Sequence, residues 1–136
     1  MNAMEKMAWT ELLVSVTTLL IVSALIPFWG NAASGAFGLL GLLVTGLWFV
    51  RGRGDTVIVD ERDREIERLA IIRGVGAAWM LLFLSLIGIV LWSSFFNDTV
   101  VDVWMLSWII WLQFATCYLV KGLVAVHAYW RQRHAA

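Results

Sequence analysis

Between Lys6 and Arg51 the chain carries one charged side chain, Glu11. A water-soluble fold cannot hide so long an apolar run, because its surface has to be covered by polar and charged groups. The rest of the chain agrees. Hydrophobic residues make up 61% of it and charged residues 15%, against roughly 45–50% and about 25% in a soluble globular domain. That excludes an ordinary soluble protein, and with one proline the chain is also too apolar for disorder. Lipid is the solvent such a composition fits. At 136 residues the expectation is a single domain, residues 1–136.

Four stretches are long enough, at about 1.5 Å per residue, to cross an apolar layer of roughly 30 Å. They are residues 8–29, 32–50, 69–96 and 103–129. The second contains Gly35, Gly38, Gly41 and Gly46. Glycines are poor helix formers in water, but in lipid small residues let helices approach, so Gly35, Gly38 and Gly41 predict a packing face. The connections 27–34 (PFWGNAAS) and 97–102 (NDTVVD) are short and turn-forming. The expected fold is an all-α membrane protein, four transmembrane helices arranged as two antiparallel hairpins. A cleaved signal peptide fits less well, since Lys6 precedes about 20 apolar residues, longer than a typical signal core.

Basic residues near span ends stay on the cytoplasmic side. All ten lie at Lys6, between Arg51 and Arg73, or from Lys121 to Arg133, and neither hairpin turn has one. The pattern predicts cytoplasmic N- and C-termini and central segment in a bacterial or archaeal inner membrane. Trp9, Trp48 and Trp130 then fall near the inner boundary, and Trp29, Trp92 and Trp104 near the outer one.

The polar residues concentrate in 51–68, where five basic and six acidic side chains nearly cancel. That balance disfavours nucleic acid and anionic lipid as partners. Gly52 and Gly54 break the preceding helix, residues 56–59 are β-branched and extended, and Asp60 occupies an N-cap position. From there one continuous helix of about 35 residues is expected, its first turns projecting into the cytoplasm. Asp60 and Arg64 form an opposite-charge pair at i, i+4. Two readings of this projection stand side by side: a solvated, salt-bridged extension, and a docking surface formed by Asp60, Glu61, Arg62, Arg64 and Ile66.

The run Val59-Asp60-Glu61-Arg62, the charged helix after it, Leu119-Val120-Lys121-Gly122, and Tyr129-Trp130-Arg131-Gln132-Arg133 resemble a family of uncharacterised prokaryotic membrane proteins. Its members have two apolar spans, an Asp-Glu-Arg motif before span three, and two more spans ending in a basic tail. The resemblance covers residues 57–133 and is architectural before that. Many members carry an acidic residue three positions before the span-four lysine, where this chain has Tyr118. The resemblance thus implies a four-span inner-membrane protein without that Glu–Lys pairing, and it supplies no catalytic residues.

Glu11 is the one carboxylate inside a span, and such a group is a functional candidate by default. It invites comparison with small multidrug transporters, which have four spans and a glutamate in the first. Its position one turn past the inner boundary favours interfacial anchoring, or pairing with Lys6, over proton coupling. Lys121 is expected near the inner surface, snorkelling. His127 and His134 are candidate ligands for haem, pigment or metal, but no clustered site can be assembled from them, and no cofactor is expected. Cys117 is alone, so it can form no internal disulfide. Trp104, Trp108 and Trp111 share a helix face, for lipid anchoring, for packing, or as an aromatic wall for a ligand. No nucleophile triad, phosphate loop or zinc motif appears, so the chain reads as non-enzymatic. Two functions remain: an accessory, structural or regulatory subunit partnered by the bilayer and by other membrane proteins or its own copies, and a small dimeric proton-coupled transporter using Glu11.

Overall fold

A computed structural model describes residues 3–46, 60–96 and 101–135, the side chains at 133 and 135 apart. The described residues are helical almost throughout. Helix α1 spans Ala3–Trp29, α2 spans Glu61–Phe96, and α3 spans Val103–Ala135. Between α1 and α2, Gly30–Leu43 winds as a 3-10 helix.

This corrects the expectation of four transmembrane helices. Among the described residues three helices, not four, are long and apolar enough to cross a membrane, with the 3-10 stretch counted as a continuation of α1. The expected second span at 32–50 fails as an α-helix for a reason visible in its period. Side chains at i and i+3 eclipse in a 3-10 helix, which crowds every row. Here one row is Gly35, Gly38 and Gly41, which has nothing to crowd, and the next is Ser34, Phe37 and Leu40, which is buried. The glycines do not form the expected packing face either, since a Cβ on any of them would meet nothing within 4 Å among the described residues. Gly30 turns the chain into this segment at φ 55°, a left-handed conformation that closes a helix end and that glycine adopts without a Cβ penalty. The segment then returns along α1, bringing Gly46 to Met7 and Thr10. The expected breaks at Gly52 and Gly54, the extended run 56–59 and most of the 97–102 turn lie outside the described residues.

Helix α2 is unbroken over 36 residues, matching the continuous helix expected from Asp60 onward. Asp60 precedes it, and its carbonyl accepts the Arg64 amide at 3.2 Å. Asp102 caps α3, its Oδ1 accepting the Trp104 amide at 3.2 Å.

Helix α3 is the hub. It runs antiparallel to α1, pairing Gly122 with Leu12, and antiparallel to α2, pairing Gly74 with Cys117 and Lys121. Met4, Ala8, Ile66, Ala70, Ala125 and Tyr129 form one cluster, so the beginnings of α1 and α2 and the end of α3 share one end of the bundle. Further along, Val22, Phe37, Leu40 and Ala115 form a second cluster.

The surface inverts the rule of soluble proteins. Ser15 and Thr18 are among the most completely buried side chains, while Phe95 is 82% exposed, Trp79 64% and Phe83 58%. In water such a surface is an aggregation liability. In lipid, close packing of small and polar side chains is what holds helices together. The three apolar helices and this inverted surface are compatible with a multi-pass integral membrane protein.

Candidate functional site

The buried face of α1 repeats at Met4, Ala8, Glu11, Ser15, Thr18 and Val22. These alternating steps of four and three residues form the seam along which one helix packs on another. Glu11 lies on that seam, 3% exposed. Lys121 Nζ, from α3, donates to Glu11 Oε1 at 2.6 Å, with the lysine side chain 14% exposed and the glutamate 4%.

Two glycines explain the placement. A Cβ on Gly122 would stand 2.8 Å from the Leu12 nitrogen, so α1 and α3 touch backbone to backbone beside the pair. A Cβ on Gly74 would stand 2.5 Å from the Cys117 carbonyl oxygen and 3.1 Å from Lys121 Cβ, so α2 closes on the other flank. Lys121 is gripped between two close helix crossings. Its ammonium reaches the Glu11 carboxylate and lies 5.9 Å from the Tyr118 ring centroid.

The expectations for these residues are therefore corrected. Glu11 does not pair with Lys6, which is exposed on another face of α1. Lys121 does not snorkel to a surface. The Glu–Lys pairing thought absent because Tyr118 replaces an acidic residue is present with a glutamate from α1 instead.

About two turns along α3 from Lys121, roughly 12 Å, the buried Tyr129 hydroxyl donates to Asp63 Oδ1 at 3.0 Å. Asp63, Ile66 and Ala70 form the inner face of α2 at its start, while Asp60, Glu61, Arg62, Arg64, Glu65 and Arg68 are exposed. Of the residues singled out for docking, the structure thus leaves Asp60, Glu61, Arg62 and Arg64 on the surface and places Ile66 in the core.

Beside the ion pair, between α1, the 3-10 segment and α3, lies a half-open cavity of about 460 Å³. Phe37, Trp111, Phe114 and Tyr118 wall it, and Glu11 and Lys121 meet at its edge. Phe37 stacks parallel to Trp111 with centroids 5.9 Å apart and meets Trp108 edge-on at 5.7 Å. Trp108 and Trp111 therefore pack on the 3-10 segment, whereas Trp104 is 49% exposed. No family model, curated protein or solved structure matches this chain. The site's chemistry rests on its geometry.

Among the described residues no group of three or more His, Cys, Asp or Glu side chains could hold a metal ion. His127 and His134 are exposed on α3, flanking Trp130 with ring centroids 6.5 Å and 4.5 Å away. Cys117 is half-buried and free.

Sequence reasoning missed Gly74, Gly122 and the Tyr129–Asp63 bond. A signal for the pair was present in α1: Glu11, Ser15 and Thr18 are polar positions at seam spacing along one face of the helix.

Proposed function

We propose that the protein is a non-enzymatic membrane subunit that works by association, docking other membrane proteins or further copies of itself onto the exposed flank of α2's first turns. The observation that carries this reading is the division of that segment into two faces. Asp63, Ile66 and Ala70 are used internally, and Glu61, Arg62, Arg64, Glu65 and Arg68 remain outside. A helix presenting alternating charges of both signs suits a partner of complementary pattern better than a uniformly charged one. The distribution of all ten Lys and Arg supports a cytoplasmic position for this flank. Purification in mild detergent of the wild type and of a Glu61→Gln, Arg62→Gln, Arg64→Gln variant tests the reading. Loss of specific co-purifying membrane proteins, or of self-association, from the variant is expected. An unchanged set refutes it.

A second reading, a small proton-coupled transporter, is favoured by the burial of Glu11 beside a 460 Å³ cavity. It requires Glu11 to exchange Lys121 for a proton or a substrate cation in each cycle. Glu11→Gln must then abolish coupled uptake in proteoliposomes, and uptake that stays coupled in this variant sinks it.

A further inference from the structure

We propose that the cavity beside the Glu11–Lys121 pair is a binding site for a neutral, lipid-soluble ring compound bearing keto or hydroxyl oxygens, the chemical class of the membrane quinones. The inference uses the membrane placement and is independent of the docking flank on α2.

Size is the first argument. A cavity of about 460 Å³ lies within the range of roughly 300–1,000 Å³ found for small-molecule pockets. Its walls are the second. Trp111, backed from the interior by the fully buried Phe37, is partly exposed at the cavity, and Phe114 and Tyr118 form a second aromatic pair with centroids 4.9 Å apart, so a flat ring finds aromatic faces and edges to pack on. Gly38 and Gly41 of the 3-10 segment also line the cavity, and having no side chain they leave room for a plane to approach the backbone.

The ion pair decides the head group. A lysine ammonium has three donors, of which one is given to Glu11 at 2.6 Å, and a carboxylate offers acceptors only. The two charges neutralise each other. A ligand with net charge would leave one charge uncompensated in an apolar surrounding, where it is expensive. A neutral ligand avoids that. Its keto or hydroxyl oxygen accepts from Lys121, the more exposed of the two at 14% against 4% for Glu11. Such molecules dissolve in the bilayer and reach a half-open crevice from it, so no aqueous entrance is needed. The proposal is one of binding and includes no electron transfer.

The test uses the full-length protein in nanodiscs with decylubiquinone as probe, read by quenching of tryptophan fluorescence. Wild type is expected to give a saturating curve near one probe per protein. Gly41→Leu adds a side chain at a residue that lines the cavity, where a Cβ meets nothing within 4 Å. It is expected to weaken binding by about tenfold or more, with helix content by circular dichroism unchanged. Gly35→Leu, on the same glycine row but outside the cavity lining, is expected to bind as wild type does. The double variant Glu11→Gln, Lys121→Met, which removes both charges together, is expected to lose affinity by about as much as Gly41→Leu and covers the case in which the leucine variant does not fold. Non-saturating quenching in wild type, or wild-type affinity in Gly41→Leu or in the double variant, overturns the proposal. Palmitate or dioleoylglycerol displacing the probe at equal concentration overturns the ring class, because the cavity would then be an ordinary acyl-chain crevice.

Discussion

Gly74→Ala adds one methyl group at a place where α2 and α3 are in close backbone contact. In an open helix position the change is favourable by up to about 1 kcal/mol, because alanine has less backbone freedom to lose. At Gly74 the methyl carbon would sit 2.5 Å from the Cys117 carbonyl oxygen, where ordinary contact begins at 3.4 Å. The obstacle is backbone, so the helices must part by nearly an ångström. Overpacking of this kind costs about 1–3 kcal/mol, and the net expectation is a loss of about 1–2 kcal/mol. Gly76 is the internal control. It lies on the same helix, and a Cβ there meets nothing within 4 Å, so Gly76→Ala should be neutral or stabilising. Unfolding of both variants in dodecyl sulfate mixed micelles, followed by circular dichroism, measures the difference. Opposite signs are expected. Equal effects at the two positions would refute the close crossing and with it the account of how Lys121 is held.

Lys121→Met alone leaves Glu11 as a buried unpaired charge and should cost about 3–5 kcal/mol, whereas adding Glu11→Gln should recover most of that loss; additive losses in the same micelle assay would show that the side chains are not coupled. Tyr129→Phe removes the hydroxyl that donates to Asp63 and should cost about 1–3 kcal/mol, read as an earlier unfolding midpoint, and a midpoint equal to wild type would mean that the bond contributes nothing. The orientation is checked in a Cys117→Ser background: a cysteine at exposed Asn31 should react with an impermeant maleimide on intact cells, and one at exposed Arg62 only after lysis. Labelling of Arg62→Cys in intact cells would put the charged flank of α2 in the wrong compartment.

The membrane character and the long helix from Glu61 were legible because both depend on local properties, apolar run length and an uninterrupted series of helix formers. The 3-10 segment was not legible as such. Its apolar length reads equally well as an α-helix, and only the coincidence of two period-three rows, glycine outside and Ser34, Phe37 and Leu40 inside, separates the two. The ion pair was hidden for a different reason. Glu11 and Lys121 are 110 positions apart, and counting residues from each helix end placed both near a boundary. Which of them a tertiary partner would capture depends on the meeting of α1 with α3. That is set by Gly122 against Leu12, a contact no pattern within one helix reveals.

Position along a helix does not by itself say whether a membrane lysine snorkels. Snorkelling needs a flexible stem that can slide along the helix surface toward water. The Lys121 backbone is fixed on two sides, by Gly122 against Leu12 and by Gly74 against Cys117 and Lys121 itself, and the lysine Cβ is part of the second contact. With its base held there, the side chain lies toward the seam of α1. Glu11 stands there at the register imposed by the same glycine contact. The pair is thus a consequence of close helix approach, and the two properties should fail together. A substitution that parts α1 from α3, such as Gly122→Ala, should weaken the Glu11–Lys121 coupling even though it changes neither charge.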